Sequence, residues 1–165
     1  MIDREQQKLR CAATAAKWRT AYRNCRAALQ TAVLARTDLE QRGNFASVSS
    51  GTDYEYFVRD LLTSAGYSVR RVGGTGDLGA DLLVTVPAGL VVIQCKFYSQ
   101  PVGYSSVQEA YTARALYSAS HAIVCSNARF TRQACRTAAK LGIKLTHHCA
   151  LISLLTITSD VKEGL

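Results

Sequence analysis

Two apolar runs, ADLLVTV (80–86) and LVVIQCKF (90–97), are separated only by Pro87, Ala88 and Gly89. Each run has strand length and strand composition, and a link this short leaves the chain no course but reversal, so the pair predicts a β-hairpin. Side chains two apart on a strand share a face at a separation of about 6.6 Å. Gln94 and Lys96 therefore project together, while Ile93, Cys95 and Phe97 take the opposite face. A strand that is apolar as far as Ile93 thus presents two polar groups side by side, and Asp81 opens the partner strand directly after the glycine-rich loop GGTGDLG (73–79).

The rest of the chain supplies a sheet around that hairpin. YEYFVRDLLTSAG (54–66) places Phe57, Val58, Leu61 and Leu62 on one helical face, with Thr52 or Asp53 as its expected cap and Gly66 closing it. A short strand is expected at 68–72. Beyond the hairpin the pattern alternates: helix 104–118, strand 121–125, helix 131–141, strand 143–146 and a short helix near 150–155. A helix, a three-strand meander and then helix-strand units imply an α/β fold, a mixed central sheet of about five strands with helices on both faces.

Residues 3–42 lack proline and glycine and carry Cys11, Ala15, Trp18, Tyr22, Cys25, Leu29 and Val33 at steps of three or four. This is the pattern of an amphipathic helix. Nine basic and four acidic side chains give it a basic outer face, suited to solvent, to packing on the domain or on a second copy, or to DNA. The break GNFASVSSG (43–51) divides an N-terminal helix (1–45) and a linker (46–51) from a domain at 52–160. The whole chain, 165 residues with a formal charge of +8, favours an anionic partner. Its six cysteines form no CxxC pair, so they read as thiols of a reducing compartment rather than a disulfide frame or zinc site. No apolar run approaches the length of a membrane span, and the N-terminal segment lacks the apolar stretch of a signal peptide. A cytoplasmic protein without membrane association is expected.

Asp81, Gln94 and Lys96 would bring a carboxylate, an amide oxygen and an ammonium group together from two adjacent strands. Magnesium prefers oxygen ligands and retains water, so one or two carboxylates and an amide oxygen suffice to hold it, with lysine left to serve the nucleophile. The same residues also suit a strand end emerging into solvent and a turn aspartate, and spacing alone leaves both readings open. The remaining polar features point elsewhere. His147 and His148 would project in opposite directions in extended chain and form no common metal face. GGTGDLG lacks the GK[ST] of a phosphate loop and precedes a strand. Arg129 and Arg132, at a helix start, suit either phosphate contact or a solvated face.

The run GGTGDLGADLLVTVPAGLVVIQCKFYSQPVGYSSVQEA resembles the catalytic core of the Mrr-type restriction endonuclease family, in the PD-(D/E)xK nuclease superfamily. The signature is a GDxGxD loop (GDLGAD, 76–81), a strand ending in QxK (94–96) and a PVG segment (101–103) leading into a helix. The likeness extends over about 52–156, through YEYFVRDLLTSAGYSV upstream and SNARFTRQACRTAAKLGIKL downstream. It implies a restriction-endonuclease-like fold and a divalent-metal-dependent DNA endonuclease using Mg2+, with Mn2+ as a substitute. By the same resemblance Asp81 and Gln94 bind metal and Lys96 is catalytic, Gln standing where most of the superfamily has Glu or Asp. Glu55 matches an acidic residue of the first helix that approaches the metal, the competing reading being a solvent-facing partner of Arg59. Asp77, Gly76 and Gly79 fall in the signature loop as supporting or DNA-proximal positions, and Gln108 matches a supporting glutamine.

DNA is the partner so implied, with a homodimer, formed in one arrangement through the N-terminal helix, to cut both strands. The competing expectations are a structure-selective nuclease like junction resolvases, a nuclease toxin or effector, and a non-catalytic DNA- or partner-binding module that retains the fold.

Overall fold

The computed structural model describes residues 45–72 and 79–159. The expected N-terminal helix (1–45, apart from Phe45), and with it the expected dimer contact, lie outside the described residues, as do Gly76 and Asp77 of the signature loop.

The hairpin forms between β2 (Leu82–Val86) and β3 (Gly89–Lys96), antiparallel with Leu82 opposite Ile93 and Val86 opposite Gly89. Its loop is Pro87 and Ala88 alone. Gly89 enters the strand at φ 123°, a backbone state that L side chains avoid. β1 (Ser68–Arg71) pairs antiparallel with β2 on the outer side. β4 (His121–Ser126) and β5 (Lys144–His147) add parallel strands beyond β3, giving the order β1-β2-β3-β4-β5. The mixed five-stranded sheet expected from the alternation is therefore present.

The helices fall on both faces. α1 (Gly51–Ser64) and α4 (His148–Ser159) cover the face carrying Leu82, Val84, Val91, Ile93, Cys95 and Cys125. α2 (Ser105–Leu116) and α3 (Arg132–Leu141) cover the face carrying Leu83, Val92, Ala122 and Val124. The β3 alternation is thus as expected: 91, 93 and 95 point to α1 and α4, and 92, with 94 and 96 after it, points to α2.

Two local differences from the sequence reading have clear causes. The cap of α1 is Ser50 rather than Thr52 or Asp53: its hydroxyl accepts from Asp53 N at 3.1 Å. Asp53 Oδ2 in return accepts from the backbone N (3.1 Å) and hydroxyl (2.8 Å) of Ser49, a reciprocal arrangement that satisfies orphan donors at the helix start. It also explains why Asp53 is held below the usual carboxylate range, chiefly through the Ser49 hydroxyl. α4 begins at His148, directly after β5, and is longer than the short helix expected near 150–155. Within the segment read as a linker, Val48 packs against the α1/α4 core, as does Phe45 just before it.

Candidate active site

Asp81 lies at the end of the glycine loop, one residue before β2, and its backbone is stitched to both neighbours. Val72 N donates to Asp81 O (2.8 Å) and Asp81 N donates to Ile93 O (3.1 Å). This fixes its carboxylate beside β3, where Oδ2 accepts from Gln94 Nε2 at 2.7 Å and from Cys95 N at 2.6 Å. Both side chains are buried, at 4% exposure each. The Asp81 and Gln94 placement that the strand period predicts is therefore realised, through an amide that donates one end of itself to the carboxylate.

The other end is left over. Gln94 Oε1 is buried and has no hydrogen-bond donor among the described residues. A buried acceptor without a partner is disfavoured by about 1–3 kcal/mol, so this oxygen has chemical reason to meet a cation. Next to it, the chemistry of the donor set fits a hard divalent ion: a carboxylate and an amide oxygen, with a further carboxylate across the cavity.

That cavity, of about 450 Å³, is lined by Glu55, Gly79, Asp81, Gln94, Lys96 and Tyr98 among others. Lys96 points to the α2 face and is paired with Glu109 of α2, Nζ to Oε2 at 2.7 Å. Burial alone would lower the lysine's affinity for its proton, but the hydrogen bond and charge of Glu109 outweigh it, so its pKa lies above the ordinary 10.5. Lys96 is hence a cation throughout the neutral range. Glu55 reaches the cavity from α1 and is held by Arg71 of β1, whose Nε and Nη2 both lie 2.8 Å from Oε2. Arg71 also lies over the Tyr56 ring at 4.9 Å. The pairing of Glu55 with Arg59 is not what forms: Arg59 turns to Asp60 at 2.6 Å. Gly79 takes φ 86°, and a Cβ there would lie 2.7 Å from the Glu109 carbonyl oxygen. The loop and α2 approach one another this closely because the position has no side chain.

The structure thus brings Glu55, Asp81, Gln94, Lys96 and Gly79 to one cavity. Gln108 is exposed on α2 and does not line it; its neighbour Glu109 does. Glu109 and Arg71 are the polar residues that sequence reasoning missed. The PVG segment is anchored by the buried Val102, whose N donates to Arg129 O at 2.8 Å and whose O accepts from Thr131 N at 3.0 Å. Arg129 and Arg132 are exposed.

His147 and His148 depart from expectation. They do not diverge: their ring centroids lie 3.9 Å apart, and both are buried. The strand ends at His147 and the helix starts at His148, so the alternation of an extended chain does not apply across that bond. His148 Nδ1 meets the Tyr54 hydroxyl at 3.1 Å and its ring stacks on Phe45. Ligand-capable atoms of His147, His148 and Cys149 come within 4.8 Å of one another, yet none of the three lines the cavity. Cysteines 95, 125, 135 and 149 are thiols rather than disulfides. Among the described residues no helix is long and apolar enough to cross a membrane.

Two solved structures share features of the chain. One is a protein of unknown function, AF1548 (23% identity, TM-score 0.47, 56% of this chain and 55% of that one). The other is the MspJI restriction endonuclease in complex with a 27-mer oligonucleotide (16% identity, TM-score 0.42, 84% of this chain and 33% of that one). The chain thus aligns with about half of the first and a third of the second. No curated protein matches it. A family model described as restriction endonuclease, that of the Mrr catalytic domain, matches residues 47–155, the stretch that carries every element of the sheet and every wall of the cavity. The chain belongs to the Mrr-type restriction endonuclease family.

Proposed function

We propose that the protein is a divalent-metal-dependent DNA endonuclease whose site is built from Asp81, Gln94, Lys96 and Glu55. The observation that carries this reading is the buried Gln94 Oε1, lacking a donor while its own amide nitrogen is committed to Asp81. Asp81 and Gln94 Oε1 would hold Mg2+, or Mn2+ in its place, and Glu55 would supply a second carboxylate from the opposite wall. When bound, such an ion supplies Lewis acidity toward water and the phosphodiester oxygens.

The chain's own residues do the rest. The Cys95 N–H and the Gln94 amide fix the direction of the Asp81 carboxyl group. Lys96, cationic and partly buried, places a full positive charge where negative charge grows on the phosphate, and low local polarity strengthens that interaction. With its pKa raised, Lys96 donates hydrogen bonds from Nζ and does not accept the proton of the attacking water. Glu109 holds the Lys96 side chain in place until substrate arrives. The net positive charge of the chain supports DNA as substrate, and cutting both strands of a duplex would call on two such sites, hence a homodimer.

Cleavage of supercoiled plasmid in Mg2+ and in Mn2+ tests the proposal. Wild type should nick or linearise DNA, EDTA should stop it, and Lys96→Ala should lower the rate by at least a hundredfold. Equal cleavage by Lys96→Ala and wild type, or activity indifferent to EDTA, would refute it.

A further inference from the structure

One wall of the cavity is aromatic and open. Tyr98 lines it two residues beyond Lys96 and is 47% exposed. Of the other exposed tyrosines, Tyr56 lies under Arg59 (4.8 Å) and Arg71 (4.9 Å) and Tyr111 under Arg114 (5.1 Å), while Tyr104 is exposed but does not line the cavity. No cation and no second ring covers Tyr98 among the described residues.

Its backbone, by contrast, is clamped. Asn127 Oδ1 accepts from Tyr98 N at 2.8 Å, and Asn127 Nδ2 donates to Tyr98 O at 3.0 Å. One residue earlier along the β4 exit, the Ser126 hydroxyl donates to Lys96 O (2.7 Å) and accepts from Ala128 N (3.0 Å). A side-chain amide thus continues the β3–β4 pairing past the end of the sheet and sets the Tyr98 backbone rigidly against that of Lys96. The result is a large, uncovered ring carried on a fixed backbone, at the cavity that also holds the cation that would face the scissile phosphate.

We infer that Tyr98 is a stacking platform for an unpaired or extruded nucleobase next to the scissile phosphate, so that the site takes DNA with an unstacked nucleotide in preference to uninterrupted duplex. The inference rests on the nuclease reading of this cavity. Every base has a π-face, and an aromatic side chain binds it without regard to sequence. Inside a duplex those faces are covered by neighbouring bases, so the ring has a partner only where the strand is single, frayed or flipped out.

Binding measured without cleavage separates this inference from its premise. Wild type, Tyr98→Ala and Tyr98→Phe are titrated in EDTA with a single-stranded oligonucleotide carrying 2-aminopurine and with a blunt duplex of the same sequence. Plasmid cleavage in Mg2+ is followed in parallel. Because Tyr98 is exposed and Asn127 grips only its backbone, all three proteins should melt alike. Wild type and Tyr98→Phe should quench 2-aminopurine and bind the single strand equally. Tyr98→Ala should lose the quenching and roughly tenfold or more in single-strand affinity, with duplex binding changed less than about twofold. Equal single-strand binding and quenching by wild type and Tyr98→Ala would overturn the stacking role while active wild-type cleavage leaves the nuclease standing. An equal loss on both DNA forms, or a loss in Tyr98→Phe matching that in Tyr98→Ala, would also overturn it, assigning the residue to backbone contact. Quenching that depends on Tyr98 in a protein that cuts nothing would uphold the platform and refute the nuclease.

Discussion

Replacing Gln94 by glutamate puts the Asp81 and Gln94 geometry under direct strain. The Gln94 amide nitrogen lies 2.7 Å from Asp81 Oδ2, so the introduced carboxyl would face Asp81 with charge centres about 4 Å apart. At an effective dielectric near 20 the repulsion is about 4 kcal/mol. The alternative is to protonate the new carboxyl. From an unperturbed value near 4.3 this takes about 4 kcal/mol at pH 7 and about 1 kcal/mol at pH 5. The new group's pKa is raised by folding, so the protein is near wild type below about pH 4.3 and loses stability as pH rises toward the raised value. Protonated, the new carboxyl donates to Asp81 as the amide did. Relative to wild type in EDTA, Gln94→Glu should therefore melt roughly 10–15 °C lower at pH 7 and within about 5 °C at pH 5. Saturating Mn2+ should restore most of the loss at pH 7, because a cation between two carboxylates removes the repulsion, and it should stabilise the variant more than wild type. Thermal melts followed by circular dichroism read all of these. A variant that melts with wild type at both pH values would refute the adjacency. A variant destabilised at pH 7 but indifferent to Mn2+ would keep the adjacency and refute the cation seat.

Two other perturbations test the walls of the cavity. Gly79→Ala combines φ 86° with a Cβ 2.7 Å from the Glu109 carbonyl oxygen, and should lower stability by roughly 2–4 kcal/mol, seen as a lower urea midpoint at unchanged slope; a shift under 0.5 kcal/mol would mean that the loop does not abut α2. Glu109→Gln removes the largest of the interactions that raise Lys96 and leaves the burial that lowers it, so the alkaline limb of the pH–rate profile should move to lower pH than in wild type; identical limbs would dissociate Glu109 from Lys96.

The hairpin and its polar pair were legible because strand geometry is a period of two, and neither Gln94 nor Lys96 depends on a distant element for its direction. Asp81 was legible for a related reason: the backbone bond from its N to Ile93 O is the next rung of the same ladder. Glu109 and Arg71 were not legible, because their relevance depends on where α2 and β1 dock. The helix period held a usable signal. With Ser106, Ala110 and Ala113 buried, Gln108 lies about 200° from Ser106 and points outward, whereas Glu109 lies about 60° to one side and flanks the buried stripe. Glu55 was identified from the family resemblance, but its capture by Arg71 required the fold. The histidine pair was not legible, because the alternation of an extended chain does not carry across the bond where strand becomes helix. The caps followed the same pattern: Ser50 precedes the apolar run by several residues, so a reading anchored on Phe57 starts the helix too late.

A crystal structure of the protein soaked in Mn2+, with anomalous data, tests the central claim most directly. A peak is expected in the cavity between Asp81 and Glu55, within bonding distance of Gln94 Oε1 and absent in Gln94→Leu. A saturating soak with no peak there, or with manganese only at His147, His148 and Cys149, would contradict it.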